Sequence, residues 1–361
     1  MTERGTDFAG LARAMTLAPL YGAGQLARTA WHTGHYLAGK RIVGAIDEPG
    51  RAPPKSAFGP VDRGRLRRSY FELMAADWRN VRNGVYRLPP ELRRAPSPRR
   101  LFAASRDYVA DTAKVARRKS SRGGVEARGH AAASGDFPTY FLQNFHFQTD
   151  GWLSAASADR YEMQVETLFT GAAMAMRRTA LPFIADALAP RGNGRRYLDA
   201  GCGDGGFLEQ VLDNFPDLDA TALDLSPAYL GKARARLGRF RNVRYRRAQV
   251  EATGLNDASI DVASCVYLFH ELPPKARRAA AAELARIIRP GGALVVTDTL
   301  QYGDEPRLDG LFEAFPAGFH EPFFDSYCRE DLPALFGEAG FEKTGETIGL
   351  LTKSTCFRRV D

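Results

Sequence analysis

Hydrophobic residues recur at helical spacing through most of the first 135 residues. The pattern covers Phe8 to Val43, Ser69 to Val85 and Leu101 to Val115, and joints rich in Pro and Gly separate these segments. Pro19 lies inside the first segment, and we expect it, together with several glycines, to break the helix. Residues 117–136 are basic, rich in Gly, Ser and Ala, and without periodicity, which predicts a flexible linker.

The pattern changes after Pro138. Ser157 to Pro182 has apolar residues at helical steps, and from Arg196 onward short apolar runs alternate with helical stretches. The predicted strands are Tyr197–Ala200, Ala220–Leu225, Val243–Tyr245, Ile260–Val266, Ala293–Thr297, Phe341–Ile348 and Leu350–Phe357. The predicted helices between them are Gly206–Asn214, Pro227–Leu237, Pro274–Ile288 and Arg329–Ala339. Such alternation predicts a parallel α/β sheet in residues 138–361, preceded by a mainly helical N-terminal region in residues 1–137.

Charge differs between the two parts of the chain. Residues 1–150 carry 25 basic and 13 acidic side chains, whereas residues 151–361 carry 25 and 29. The four cysteines lie far apart without CxxC pairs, which argues against a zinc ribbon or a disulfide scaffold and favours reduced thiols. No apolar run reaches the ~18 residues that a membrane span needs. We therefore expect a cytoplasmic protein, and the oligomeric state is left open.

A glycine-rich loop follows the first predicted strand. The segment from Asp199 to Gly205 reads Asp-Ala-Gly-Cys-Gly-Asp-Gly, so its backbone can turn tightly and approach a ligand. The next helix offers unpaired N–H groups beside this loop. The second strand ends near Asp224, where a carboxylate can accept hydrogen bonds from both hydroxyls of a ribose. This arrangement predicts a nucleotide-type site.

The same glycines leave one alternative to weigh. Gly201, Gly203 and Gly206 satisfy GxGxxG, a pattern of NAD sites that also occurs in plain turns. The carboxylate of Asp199 argues against NAD, because it repels a diphosphate and attracts a cationic group. The turn formed by residues 289–292, Arg-Pro-Gly-Gly, comes directly before another apolar strand.

With these motifs in this order, residues 155–360 resemble the class I S-adenosylmethionine-dependent methyltransferases, most nearly the quinone-methylase-like branch that acts on small molecules. The resemblance implies a Rossmann-like sheet of seven mostly parallel strands with an antiparallel C-terminal strand. It also implies that S-adenosyl-L-methionine is the cofactor. The cofactor-binding residues that it implies are Asp199, Gly201, Cys202, Gly203, Gly205, Asp224, Leu225, Gln249, Val250 and Cys265. Gln249 stands where the family often has Asp, although an amide can still hydrogen-bond adenine.

Two histidines are candidates for a general base. His270 follows the fourth strand, at the sheet edge where active groups of open α/β sheets gather. A loop histidine with only a structural role is the alternative. His320 lies in an insertion rich in Phe, residues 311–327, that we expect to form a wall of an apolar acceptor pocket or, alternatively, a small satellite core. Glu271 after His270 does not complete an HExxH motif, so no metal site is predicted.

An aromatic segment, residues 144–154, has no counterpart in the minimal fold. It reads as a cap that closes over the substrate, or as a strap that docks the N-terminal region on the α/β domain.

The sequence thus predicts methyl transfer to an oxygen or carbon of a hydrophobic or aromatic small molecule. One alternative is an RNA methyltransferase that uses the basic N-terminal region, although no recognisable RNA module supports a nucleic-acid partner. Another is a regulatory protein that binds the cofactor without catalysis. The basic, aromatic N-terminal region also leaves open a peripheral contact with an anionic membrane surface.

Overall fold

A computed structural model describes residues 8–46, 56–94, 97–120, 137–147, 150–189 and 194–360. The N-terminal region is helical, as predicted. Its helices are α1 (Phe8–Ile46), α2 (Arg63–Arg82), α3 (Pro90–Arg93) and α4 (Pro98–Ser120). Most of the predicted linker, residues 121–136, lies outside the described residues.

The strands of the α/β domain are β1 (Arg196–Ala200), β2 (Asp219–Asp224), β3 (Val243–Arg247), β4 (Ile260–Val266), β5 (Ile288–Thr299), β6 (Phe341–Gly349) and β7 (Thr352–Arg359). Within the described residues they form one sheet of seven strands in the order β3-β2-β1-β4-β5-β7-β6. β1 to β5 pair in parallel, and β7 is antiparallel to both of its neighbours. The predicted fold class is confirmed.

Helices cover both faces of this sheet. They are α5 (Ala155–Leu168), α6 (Ala173–Arg177), α7 (Leu181–Leu188), α8 (Gly206–Asn214), α9 (Pro227–Leu237), α10 (Pro274–Ile287), α11 (Asp309–Phe319), α12 (Phe324–Cys328) and α13 (Leu332–Glu338). Short 3-10 turns lie at Thr139–Phe141, Phe145–Phe147, Arg178–Ala180, Phe269–Glu271 and Pro306–Leu308.

Alternating side chains of the central strands build two cores. Leu198 of β1 packs with α10 and α13 on one face, and Tyr197 packs with α7, α8 and α9 on the other. Because side chains alternate along a strand, both faces of a parallel sheet need apolar residues, and β1 is buried at four of its five positions. The sheet thereby fixes the loops at its carboxyl edge.

The first helix differs from its prediction. α1 runs unbroken for 39 residues, with Pro19 inside it. Proline removes one backbone hydrogen bond, but side chains that follow Pro19 anchor the helix to other elements. Tyr21 is buried and donates a hydrogen bond to Asp77 of α2 at 2.7 Å. Gln25 donates another to the Gly171 carbonyl oxygen at 3.1 Å. Tertiary contacts thus compensate for the local cost.

The segment from Ser157 to Pro182, predicted to have helical character, forms three helices, α5, α6 and α7. The first break falls at Thr170 and Gly171, which have φ angles of 50° and 83°. A Cβ on Gly171 would lie 3.2 Å from the carbonyl carbon and oxygen of Arg28, so the glycine permits the close approach of α1.

A buried ion pair joins the N-terminal helices to the α/β domain. The Arg178 guanidinium donates to both carboxylate oxygens of Asp77, at 2.7 and 2.8 Å, and both side chains are almost fully buried. Tyr21 and Tyr86 also donate hydrogen bonds to this carboxylate. The charge of Asp77 is therefore compensated on every side, which a buried carboxylate requires.

None of the helices within these described ranges combines the length and the apolar character that crossing a membrane requires.

Candidate functional site

A cavity of about 420 Å³ opens at the carboxyl edge of the sheet. Residues that follow or end β1, β2, β4 and β5 line it, among them Gly201, Asp224, Val266 and Thr299. Open α/β sheets bind ligands at this edge, where neighbouring connections diverge. Helices α1 and α5 and the insertion around α11 close the cavity from other directions, as the lining by Tyr36, Tyr161 and Phe312 shows.

The glycine loop forms the floor of this cavity beside β1. Gly201, Gly203 and Gly205 all have positive φ angles, of 75°, 54° and 79°. A Cβ at Gly205 would lie 3.2 Å from the backbone of Ala233, so only glycine fits between α8 and α9 without displacement. The backbone N–H groups of Gly201 and Cys202 donate to the Leu223 carbonyl oxygen at 2.8 Å each, which ties the loop to β2.

Two carboxylates flank the loop. Asp199 is buried and accepts a hydrogen bond from the Ser264 hydroxyl at 2.7 Å, while its Oδ2 has no hydrogen-bond partner. Burial raises the pKa of Asp199 to about 7, with the nearby Asp224 carboxylate adding to the shift. Asp224 accepts from the backbone N–H groups of Gly203 and Ser226, at 2.9 and 2.8 Å. Burial raises the pKa of Asp224 to about 6, although these backbone donors oppose the shift.

The remaining predicted cofactor residues divide between the cavity wall and the core. Leu225, Gln249 and Val250 line the cavity with Asp224. Cys202 and Cys265 are instead packed in the cores on opposite faces of the sheet, and burial raises the pKa of both thiols well above its usual value. Both cysteines are thus buried, neutral side chains that pack the glycine loop and β4 against the cores.

Three aromatic rings stand together above the glycine loop. Trp152, Tyr161 and Tyr229 line the cavity and meet edge to face, with ring centroids 5.4 to 5.6 Å apart. The Ser226 hydroxyl donates to the Trp152 carbonyl oxygen, which fastens this part of the predicted cap to the end of β2. Electron-rich ring faces attract organic cations, so the cluster suits a positively charged ligand group.

His270 also lines the cavity, on the 3-10 turn that follows β4. Its Nδ1 lies 2.6 Å from Asp298 Oδ1, and the backbone N–H groups of Phe269 and His270 donate to Asp298 Oδ2 at 2.9 and 3.3 Å. Burial disfavours the charged ring, but the Asp298 carboxylate outweighs it and raises the pKa of His270 well above its usual value. Asp298 therefore orients the ring, and Nε2 lies 3.5 Å from Glu271 Oε1.

The predicted aromatic insertion contributes one wall. Leu311, Phe312, Phe315, Phe319 and Phe324 line the cavity, and the rings of Phe315 and Phe319 stack with centroids 4.5 Å apart. His320 ends α11 with a φ of 53° and is not among the described residues that line the cavity. The structure thus brings His270, but not His320, together with the glycine loop.

Sequence reasoning missed the partners that hold these groups. Asp298 ends an apolar run in β5, and Ser264 interrupts another in β4; a polar residue inside a buried strand was the available signal. His146 and Glu271 also line the cavity, and neither was predicted to bind a ligand. His146 was hidden in the aromatic segment, and only the folded chain shows its neighbours.

Fold and site together define a class: a Rossmann-like protein with a glycine loop after β1 and a carboxylate at the end of β2, both beside a largely apolar cavity. Residues 198–292 match the family model described as a methyltransferase domain. The chain is 26% identical over 175 residues to the probable methyltransferase ltbC of Aspergillus luteorubrus, covering 44% of this chain and 61% of that protein. It is 29% identical over 182 residues to the demethylmenaquinone methyltransferase of Deinococcus radiodurans, covering 50% and 67%.

Among solved structures, the CurJ carbon methyltransferase is similar over 98% of this chain and 99% of that chain, with 15% identity and a TM-score of 0.47. The sequence match spans about three fifths to two thirds of the length of the two curated relatives. The chain carries a class I S-adenosylmethionine-dependent methyltransferase domain.

Proposed function

We propose that this protein transfers a methyl group from S-adenosylmethionine to an oxygen or carbon of a hydrophobic or aromatic small molecule. One observation carries the proposal: a single cavity is lined by the glycine loop, Asp224, His270 and the aromatic insertion. A cofactor and an apolar acceptor bound there would share one enclosed space, which is what direct transfer between them needs.

The residues at the loop fit this cofactor. The unpartnered Oδ2 of buried Asp199 favours a cationic group, and the cluster of Trp152, Tyr161 and Tyr229 offers ring faces to a sulfonium. Asp224 lies where it can accept hydrogen bonds from the ribose hydroxyls, and Gln249 and Val250 would flank the adenine. When bound, S-adenosylmethionine supplies an electrophilic methyl group on a positively charged sulfur.

His270 is the candidate general base. Because Asp298 holds Nδ1, Nε2 is the nitrogen that accepts the proton when the acceptor oxygen or carbon forms its bond to the methyl carbon. The sulfur–methyl bond breaks in the same step, and its electron pair stays on sulfur. A cationic cofactor beside the ring opposes its protonation, so cofactor binding favours the neutral imidazole that a base requires.

The wall of the cavity indicates the acceptor class. Phe312, Phe315 and Phe324 present apolar surface, and few charged side chains reach the cavity. Such a pocket favours an apolar or aromatic compound with one reactive polar group. Because the Deinococcus relative is named for demethylmenaquinone, a demethylmenaquinone analogue is the first acceptor to test.

The test is transfer of radiolabelled methyl groups from S-adenosylmethionine to a panel of hydroxylated aromatics, quinols and compounds with an acidic C–H. We expect a labelled product and S-adenosylhomocysteine with at least one acceptor, and loss of most turnover in His270→Ala. His35→Ala is the matched control, since His35 lies in α1 and bonds Ser105 instead of lining the cavity. Cofactor binding without methyl transfer to any small molecule would contradict the proposal and favour a regulatory protein. Methyl transfer to RNA alone would favour an RNA methyltransferase.

We also propose that the N-terminal helices contact an anionic membrane surface, from which an apolar acceptor would be delivered. Leu26 of α1 and Phe102 of α4 are 71% and 72% exposed, and residues 1–150 carry the excess of basic side chains. Sedimentation of the full chain with anionic liposomes, but not zwitterionic ones, is expected. Equal recovery in the supernatant with both would contradict this contact.

A further inference from the structure

A second polar cluster lies at the edge of the cavity, built from segments far apart in the sequence. His146 belongs to the aromatic segment after residue 138, Glu271 follows His270, and Glu321 follows α11. One ligand atom from each side chain lies within 4.8 Å of the others. His146 Nδ1 is 3.3 Å from Glu321 Oε1, and His146 Nε2 is 3.9 Å from Glu271 Oε1. The fold therefore gathers one imidazole and two carboxylates around one point.

The carboxylates of this cluster lack the partners that burial demands. The Glu321 side chain is fully buried, and neither of its oxygens has a hydrogen-bond partner. Glu271 is 12% exposed, and its Oε2 is buried without a partner as well. Buried carboxylates of this kind cost several kcal/mol unless a cation or a proton compensates them.

The neighbouring groups supply only part of that compensation. His270 Nε2 lies 3.5 Å from Glu271 Oε1, but the same ring is already paired through Nδ1 with Asp298 at 2.6 Å. The rings of Phe319 and Trp152, which lie against His146, carry no charge. The cluster thus sets two carboxylates against the single imidazole of His146.

We propose that His146, Glu271 and Glu321 bind a divalent cation. One imidazole and two carboxylates are a donor set that suits Mn²⁺ or Zn²⁺. Three protein ligands leave coordination positions open, as in metal sites that bind a substrate. His146 and Glu271 both line the cavity, so those positions face the space assigned to the acceptor.

The position of the site indicates what the cation does, on the basis of the proposed methyl transfer. A hydroxyl or carbonyl oxygen of the acceptor would complete the coordination, and the cation would polarise it as a Lewis acid. His270, which adjoins Glu271, would then lie beside the proton whose acidity the metal increases. The acceptor class narrows accordingly to apolar molecules with an oxygen donor at the reacting end.

No metal ligands were expected from the sequence, because the spacing of zinc motifs such as HExxH is local. Here the ligands are separated by 125 and 50 residues, and the chain brings them together only through the cap and the insertion. The proposal accordingly depends on the folded arrangement and not on a motif.

The test measures metal binding by the full chain in the absence of cofactor and acceptor. After removal of bound metals with a chelator, Mn²⁺ is titrated and free Mn²⁺ is followed by its electron paramagnetic resonance signal, with Zn²⁺ added as a competitor. We expect one Mn²⁺ per chain, displaced by Zn²⁺. Glu321→Gln, which keeps the shape and removes the charge, should weaken binding at least about tenfold, and so should His146→Ala.

Glu342→Gln is the matched control, because this exposed glutamate lies in β6 and pairs with Arg358. It should bind Mn²⁺ as the unmodified chain does. Thermal unfolding and S-adenosylmethionine affinity establish that each variant is folded. If Glu321→Gln binds each metal, Mn²⁺ and Zn²⁺, as tightly as the unmodified chain does, the proposed site is wrong. A proton shared between the Glu271 and Glu321 carboxylates would then offset the cost of burying them. Undiminished methyl transfer in excess chelator would overturn the catalytic role of the cation. Metal binding without any methyl transfer would refute the proposed function and leave the metal site standing.

Discussion

Binding of S-adenosylmethionine should depend on pH through the two carboxylates beside the glycine loop. The pKa values of Asp199 and Asp224 are raised to about 7 and about 6, so lowering the pH from 7.5 to 6 protonates most of Asp199 and about half of Asp224 in the free protein. A cationic ligand binds the ionised carboxylates. Ligand binding therefore strengthens as the pH rises through these pKa values and weakens as it falls.

The size of the effect follows from the ionised fractions. Between about pH 7.5 and pH 6, the ionised fraction of Asp199 falls roughly eightfold and that of Asp224 roughly twofold. If only the doubly ionised site binds, the affinity falls roughly fifteenfold, equivalent to about 1.6 kcal/mol. Asp199→Asn should bind more weakly at both pH values and keep only the roughly twofold dependence that Asp224 causes.

Isothermal titration calorimetry at both pH values measures this dependence. Repeating the titration in two buffers with different ionisation enthalpies detects proton release. We expect binding to release a proton at pH values between 6 and 7.5. Asp219→Asn is the control, since this residue pairs with Arg244 at the opposite end of β2. An affinity that is the same at both pH values, or a fifteenfold loss that persists in Asp199→Asn, would refute the assignment of these carboxylates to the cationic ligand.

Three further predictions concern the supports of the site. Asp77→Ala should lower the free energy of unfolding in urea by roughly 3–5 kcal/mol, because the buried Arg178 guanidinium loses its bidentate partner and keeps only the ion pair with Glu91. Exposed Asp325→Asn should cost less than about 1 kcal/mol, and similar values for both variants would contradict the prediction. Asp298→Asn should lower turnover by about 100-fold or more without changing cofactor affinity, as enzyme assay and calorimetry can establish; unchanged turnover would dismiss its positioning role. Gly291→Ala should cost about 1–2 kcal/mol of backbone strain, because Gly291 has a positive φ but open surroundings. Gly205→Ala should destabilise the fold by more, because the added Cβ also meets α9. Equal losses of unfolding free energy in the two variants would show that this contact is unimportant.

The sheet and its adjoining helices could be predicted because each is specified locally. α8 and α9 begin and end at the predicted residues, since the glycine loop fixes the start of the first and Ser226 caps the second by accepting from the Tyr229 backbone N–H. The glycine loop and the carboxylate of Asp224 follow and end two strands that pair directly, β1 and β2. A short motif with strong backbone requirements therefore predicts the loop and the carboxylate beside which we propose that the cofactor binds.

The part of the cavity proposed for the acceptor could not be predicted from local sequence motifs. The continuity of α1 across Pro19 depends on contacts with α2 and with Gly171, which no local pattern reveals. His146 and Glu321 are 175 residues apart, and each looks ordinary in its own segment. Their proximity results from the packing of the aromatic segment against the insertion, a long-range arrangement with no sequence period.

The walls of the cavity come from two separate parts of the chain, which can change independently in evolution. Tyr36 and Leu66 line the same cavity as Asp224, yet they belong to helices outside residues 198–292, which match the methyltransferase family. Substitutions in α1 and α2 can thus reshape the cavity while the cofactor loop stays intact. On the proposed function, selection can change the preferred methyl acceptor through substitutions in the N-terminal helices while residues 198–292 stay unchanged.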